Sequence, residues 1–277
     1  VPTSHIVCGV GVPHVPVFPK LVAEGDHDVR SRYEAVRAVL ERTEPDLLVV
    51  IANDHLNAFF LDRLPTFSIG IGELMSGPMD DVPGLTAAPL PTDTGAARAL
   101  AEFLVRDDYD LVLCQEIDVD HSVIVPLHFL NHKGVPVVVV NINAYVAPLP
   151  SAQRCHELGR SLGTAVEALA GDRRVAVVAS GSFSQEVGGP RVDAGRAWSV
   201  PRPDWAGRIA ELLTRGDIES LLAESTPGML RDAGTVAGEV LSWITMIGAA
   251  GPAGANLSPR LDHRSGEAFA FGTWEER

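Results

Sequence analysis

Apolar residues along this 277-residue chain follow two patterns. Short unbroken runs rich in branched residues alternate with longer segments in which apolar positions return every three or four residues. The runs read as strands buried on both faces and the spaced segments as amphipathic helices. Strands are predicted at 5–11, 47–52, 67–71, 111–115, 135–140, 174–179 and 268–271. Helices are predicted at 29–42, at 92–105 with Thr92 or Asp93 as cap, at 151–170 behind Pro150, at 205–213, at 218–222 and at roughly 235–248. Residues 72–91 are rich in Gly, Pro and Met without clear period, so a long loop able to cover a crevice is expected there. The alternation, with no internal repeat or linker, predicts one α/β domain over 1–277: a central, mostly parallel sheet flanked by helices.

Several strand-like runs stop at polar residues capable of chemistry. LLVVIA at 47–52 ends in Asn53-Asp54-His55, and the first run leads into Val12-Pro13-His14-Val15-Pro16, where two prolines hold His14 in an extended turn. The run at 111–115 is followed by Asp118-Val119-Asp120-His121, and that at 174–179 by Ser180-Gly181-Ser182-Phe183-Ser184-Gln185. In open α/β sheets ligands bind beyond the carboxyl ends of the strands, so the active site is expected at that edge. A lone histidine there is often only a hydrogen-bonded structural residue, and Asp118 and Asp120 could simply cap the turn before Val123. Three histidines at three strand ends favour a site. His128, His132 and His156 lie on helix-like or loop segments with no partner pattern, and His5, His27 and His263 give no stronger signal.

Glu239 sits among Val236, Val240, Leu241, Trp243, Ile244 and Ile247. Near the buried face of that helix an ionised carboxylate is costly without a compensating charge, which a metal ion would supply; a solvated glutamate on an amphipathic helix is the plain alternative. Two histidines and one carboxylate with open positions make the facial triad of non-haem Fe(II) oxygenases, although spacing alone does not establish ligands so far apart in a chain.

Composition narrows the classes. Hydrophobic content of 46% with 21% charged residues is ordinary for a soluble enzyme. Lys plus Arg at 22 against Asp plus Glu at 36 leaves −14, a field that opposes nucleic acid and anionic membrane surfaces, so neither is expected as a partner. Cys8, Cys114 and Cys155 are odd in number and widely spaced, which fits reduced thiols in a cytoplasmic protein. No secretory pattern opens the sequence and no apolar stretch is long enough to span a bilayer, so a cytoplasmic location is expected.

The segments around His14 (GVPHVP), His55 (ANDHLNAF, then LPTFSIG), His121 (DVDHSVIVPL), Gln153 (SAQRCHELG), Gly189 (GGPR) and Glu239 (AGEVLSW) together resemble one family over nearly the whole chain. It is the class III extradiol ring-cleavage dioxygenases, the family of the catalytic β subunit of protocatechuate 4,5-dioxygenase and its gallate and aminophenol relatives. The resemblance implies that His14, His55 and Glu239 ligate Fe(II), with His121 beside a substrate hydroxyl as a hydrogen-bonding or proton-transfer partner. It implies ring opening of a catechol-type aromatic with O2, in a homo-oligomer or a complex with a small lid subunit.

Two departures stand out. Gln185 occupies the place where the family carries a histidine proposed as catalytic base, and Arg264-Ser265-Gly266-Glu267-Ala268 does not reproduce the Ser-Asn element that meets the protocatechuate carboxylate. A different ring substituent, or none, is therefore expected. Gln185 also motivates a second reading, a metal-dependent hydrolase or isomerase on the same scaffold. A third is a non-catalytic partner subunit, which loss of metal ligands would mark; none of the three positions is lost.

Overall fold

The computed structural model describes residues 3–192, 194–196, 198–251, 256–262 and 267–275. His263 and the Arg264-Ser265-Gly266 stretch lie outside them. The strands are β1 His5–Val12, β2 Leu47–Ala52, β3 Phe67–Gly77, β4 Ala88–Pro89, β5 Val112–Asp118, β6 Val137–Ile142, β7 Arg174–Ser180, β8 Glu186–Val187, β9 Trp198–Ser199, β10 Asn256–Asp262 and β11 Glu267–Glu275. The helices are α1 Phe18–Ala23, α2 His27–Thr43, α3 Thr94–Arg106, α4 His121–Leu130, α5 Ala152–Glu167, α6 Pro203–Arg215, α7 Ile218–Ala223, α8 Pro227–Ala233 and α9 Val240–Ala250, the last preceded by a 3-10 turn at Ala237–Glu239.

One sheet runs in the order β10-β11-β1-β7-β2-β6-β3-β4, with β5 added against β3. Its centre, β1-β7-β2-β6, is parallel throughout. The flanks reverse: β11 is antiparallel to β1, and β3 is antiparallel to β6 while β5 runs parallel to β3. The expected α/β class with a mostly parallel central sheet is what the chain forms.

The unbroken apolar character of β2 follows from its place. Leu47, Val49 and Ile51 join a core shared with α3, α5, α6 and α9, while Leu48, Val50 and Ala52 join the opposite core with α2 and α4. Both faces are covered, so no polar alternation survives. Helix starts are fixed by side-chain caps: Asp93 accepts from Ala96 N at 2.9 Å, and Ser151 from Arg154 N at 3.1 Å.

Beyond short unpredicted elements (α1, α8, β4, β8 and β9), three departures from the sequence expectation have a physical reason. β3 extends to Gly77 because its second half pairs with β5, Leu74 opposite Glu116 and Ser76 opposite Asp118, so only 78–87 of the expected loop connects β3 to β4. α4 was not expected as a helix: nine of its ten residues are buried, which erases periodicity, and Pro126 lies inside it. β10 was not expected as a strand; Pro259 fits there because β10 is the sheet's edge.

Candidate metal centre

Beyond the carboxyl ends of β1, β2 and β7 the chain brings four of the predicted residues together. His14 follows β1 by two residues, His55 follows β2 by three, His121 opens α4, and Glu239 ends the 3-10 turn before α9. The His14 ring lies 5.1 Å from that of His55 and 5.3 Å from that of His121, and the His55 and His121 rings stack at 4.1 Å. One ring nitrogen from each of the three histidines falls within 4.8 Å of the others, a group able to hold a metal ion.

Glu239 faces two of those rings. Its Oε1 stands 3.2 Å from His14 Nε2 and 3.6 Å from His55 Nε2, and its Oε2 accepts the Ser182 N–H at 2.6 Å. The carboxylate is only 2% exposed. Two glycines permit this seating. A Cβ on Gly181 would stand 2.7 Å from Glu239 Cβ, and one on Gly238 would stand 2.0 Å from the Ala144 carbonyl oxygen.

The partners of each imidazole set what it offers. His14 Nδ1 lies 2.8 Å from Ser180 Oγ, and that hydroxyl donates to the Ser122 carbonyl at 2.5 Å, so Ser180 receives the Nδ1–H and Nε2 is left facing the carboxylate. His55 Nδ1 lies 2.9 Å from Asp120 Oδ2, and its Nε2 faces both Glu239 and, at 2.7 Å, the Tyr145 hydroxyl. The Tyr145 O–H in turn donates to Glu239 Oε1 at 3.0 Å. Asp120 accepts from the His55 backbone N–H at 2.7 Å and from Asn57 Nδ2 at 3.1 Å, while its other oxygen caps α4 through Ser122 N at 2.9 Å. The capping expected of Asp120 is realised, and the same side chain also holds the His55 ring.

Electrostatics follow this geometry. Burial alone would raise Glu239, but the charges and hydrogen bonds of His14 and His55 outweigh it and hold the carboxyl far below the usual range. Asp120 is likewise held low against burial by His55, with His121 and Ser122 adding to the effect. Burial disfavours a charged His55, yet Asp120 and Glu239 push the ring up to about 10. His121 is pushed down by burial, which its contact with Asp80 only partly offsets.

Donor chemistry and spacing test whether a cation fits. Two imidazole nitrogens converge on one buried carboxylate oxygen, a donor set that gathers positive charge at one point, supplied by the protonated His55 ring in the metal-free protein and by a cation when one is bound. Ligand atoms about 2.1 Å from one octahedral ion, and at right angles, stand about 3 Å apart. The observed 3.2 and 3.6 Å are close to that spacing. The residues fit a metal ion.

Gln185 is less central. It lies in the loop after β7, buried, with its carbonyl accepting from Val236 N at 3.1 Å; among the described residues its amide makes no hydrogen bond to the histidines or to Glu239. Two site residues carried no sequence signal. Asp80, in the loop after β3, accepts the His121 backbone N–H at 3.0 Å with Oδ1 and contacts His121 Nδ1 with Oδ2. Tyr145 lies in a proline-bounded stretch where nothing but its type suggested a role.

A mostly parallel sheet covered on both faces thus carries, at its carboxyl edge, a cluster of three histidines beside a buried carboxylate that is able to hold a metal ion. The family profile described as "Catalytic LigB subunit of aromatic ring-opening dioxygenase" matches residues 9–267, and the chain belongs to that family. Its substrates are accordingly an aromatic compound and O2, and its activity is that of a dioxygenase in aromatic catabolism. Similar proteins include a 2,3-dihydroxyphenylpropionate/2,3-dihydroxicinnamic acid 1,2-dioxygenase of Burkholderia vietnamiensis, 30% identical with 91% of each chain covered. A protein of the same name from Rhodococcus jostii is 27% identical over 82% of this chain and 83% of that one. An uncharacterized Escherichia coli K12 protein shares the fold, with a TM-score of 0.63 and 16% identity over 97% of this chain and 99% of that one. Among the described residues no helix is long and apolar enough to cross a membrane.

Proposed function

We propose that this chain, acting as one catalytic domain over 1–277, is a non-haem Fe(II) extradiol dioxygenase held by His14, His55 and Glu239. It opens a catechol-type ring next to its diol. The observation that carries this reading is the convergence of His14 Nε2 and His55 Nε2 on Glu239 Oε1, at 3.2 and 3.6 Å. Two histidines and a carboxylate leave adjacent positions open, the ligand set of non-haem Fe(II) oxygenases. A bound Fe(II) would supply neighbouring sites for the substrate oxygens and O2, and would lower the pKa of a coordinated hydroxyl.

The protein's own residues orient and move protons. Asp120 fixes the His55 ring through Nδ1, and Ser180 fixes His14 through Nδ1, so both Nε2 atoms point inward. His121 is left outside the ligand set because Glu239 Oε1 meets the rings of His14 and His55 and, among the described residues, not that of His121; Asp80 holds its Nδ1, which leaves Nε2 as a proton acceptor for a substrate hydroxyl. Gln185 can donate and accept hydrogen bonds but takes up no proton near neutral pH, so it serves to orient rather than as a base. The names of the similar proteins support an aromatic diol with an acidic side chain as substrate. A cytoplasmic location, with the chain in a homo-oligomer or beside a small lid subunit, completes the reading.

Anaerobic reconstitution of the stripped protein with Fe(II), followed by oxygen uptake on a panel of catechols and aminophenols, tests it. Uptake stoichiometric with a ring-opened product is expected. Iron binding without uptake on any diol would favour the hydrolase or isomerase reading, which Gln185 motivates. Failure to bind iron would favour a non-catalytic subunit.

A further inference from the structure

Tyr145 touches two of the proposed ligands, yet the reading above gives it no role. Its phenol ring lies over the His55 imidazole, tilted by 31° with the centroids 4.5 Å apart. Its O–H donates to Glu239 Oε1 at 3.0 Å, and the same oxygen stands 2.7 Å from His55 Nε2. These are two of the atoms on which the ion would be held, so the hydroxyl borders the place of that ion.

The backbone around Tyr145 is built to place it there. Asn143, just past β6, accepts with Oδ1 from the Tyr145 N–H at 3.3 Å and the Val146 N–H at 3.1 Å, and its Nδ2 donates to the Val146 carbonyl at 2.7 Å. A side chain that satisfies the backbone following it in this way closes a local turn. On the other side, Gly238 lets the 3-10 turn that ends in Glu239 close on Ala144, the residue before Tyr145; any Cβ at 238 would collide with the Ala144 carbonyl. Loop and turn are thereby locked together, and the phenol is preorganised against the carboxylate.

Glu239 Oε2 is taken by the Ser182 N–H at 2.6 Å, which leaves Oε1 to face His14, His55 and Tyr145. A carboxylate oxygen carries two lone pairs, so Oε1 can accept the phenol O–H with one and serve an ion with the other. We infer that Tyr145 is a positioning residue of the metal centre: its O–H and the Ser182 N–H hold the two oxygens of Glu239 so that the carboxylate meets the ion through Oε1 alone, while its ring steadies His55. The inference rests on the proposed ligand set. Hydrogen-bond partners of metal ligands fix ligand orientation, and losing one weakens metal binding about 10- to 100-fold.

Metal binding without substrate tests this, by calorimetric titration of the chelator-stripped protein with Co(II) at one fixed pH. Tyr145→Phe keeps the ring and removes only the hydroxyl. Metal-free, it should melt at nearly the temperature of the unmodified protein, yet bind Co(II) about 10- to 100-fold more weakly. The intensity of its visible cobalt band should also change, because that band follows the number and arrangement of ligands. Asn143→Ala keeps the phenol but frees its loop; it should show part of the loss, and it carries the test if Tyr145→Phe does not fold. A Tyr145→Phe affinity within about threefold of the unmodified protein would overturn the assignment, being well short of the effect of a lost ligand partner. Tighter Co(II) binding by Tyr145→Phe would overturn it too, by making the phenol a competitor for the ion's place. So would a phenolate-to-metal charge-transfer band in the air-oxidised iron-loaded protein that Tyr145→Phe lacks, since Tyr145 would then be a ligand. If Co(II) binding behaves as described but the Fe(II) form opens no diol, the ring-opening reading fails and the assignment of Tyr145 stands. If diols are opened while Tyr145→Phe loads metal as well as the unmodified protein, the assignment fails alone.

Discussion

Asp80 grips His121 at two points, through the backbone N–H with Oδ1 at 3.0 Å and through ring Nδ1 with Oδ2. The grip fixes both the place of the helix start and the tautomer of the ring, leaving Nε2 unprotonated on the side away from Asp80. Asp80→Asn keeps the backbone contact but allows the ring to turn over. It should retain full metal content and lower kcat about 10-fold or more, with KM less affected. His121→Phe should also retain metal and lose about 10²–10⁴-fold in turnover, the worth of a positioned proton-transfer group. Metal analysis beside oxygen uptake reads both variants, and an iron-free His121→Phe protein would make His121 a ligand.

If His14, His55 and Glu239 are the ligand set proposed above, Glu239→Ala, His14→Ala and His55→Ala should each abolish stable iron binding, because losing one of three protein ligands dismantles the facial geometry. Iron content after anaerobic loading and gel filtration is the measurement. A variant that keeps stoichiometric iron and normal turnover removes its residue from the set.

Metal uptake should depend on pH with a definite sign. His55 in the metal-free protein is pushed up to about 10, against burial, by Asp120 and Glu239. Its folded value exceeds the unfolded value of about 6.5, so the stability it contributes is complete below about pH 6.5 and is lost as pH rises through about 10. Glu239 and Asp120 are held low, so their contributions are present above about pH 4 and are lost as pH falls. A metal must displace the His55 proton, so affinity should climb about tenfold per pH unit for each proton released. Titrations between pH 6 and 8 that give a constant affinity would count against a protonated His55.

Gln185→His restores a titratable group in the loop whose Ser182 N–H holds Glu239. It should keep iron and either raise turnover of ordinary catechols or add a group near about pH 6.5 to the rate profile. Rates and pH dependence unchanged across the substrate panel would place Gln185 outside the reacting site.

The thiols give a control on packing. Burial pushes Cys155 up to about 12 and Cys8 up to about 11, with only partial offset from hydrogen bonds to Thr245 and Thr43. Both should resist alkylation at pH 8 in the folded protein and react fully once it is denatured, as read by intact mass. Rapid native labelling of either would show that its cover opens.

Legibility of the sequence tracked how each element is buried. β2 was read to the residue, since a strand covered on both faces has no polar position to blur its ends. His14 and His55 were legible because prolines and a polar tripeptide interrupt apolar runs at the sheet's edge. α4 was not, because a helix buried on nearly all sides has no period to detect. Asp80 and Tyr145 were hidden for a different reason. Both lie in proline-containing connections, where residue type says nothing about which distant atom it will meet. The His14–Ser180 and His55–Asp120 pairs span 166 and 65 residues, and such partners emerge only once strands are aligned.

Ser180 is the last residue of β7 and stands opposite Val12 in the parallel pairing with β1, two residues before His14. Side chains alternate along a strand, so a slip of one residue between β7 and β1 would turn Ser180 to the other face and deprive His14 of its partner. The same slip would carry Gly181 away from Glu239. The cluster is thus a gauge of strand register: a molecule that folds with β1 and β7 misaligned keeps His14, Ser180 and Glu239 in its sequence yet does not bring them together, so whatever this cluster binds would count the chains whose central strands paired correctly.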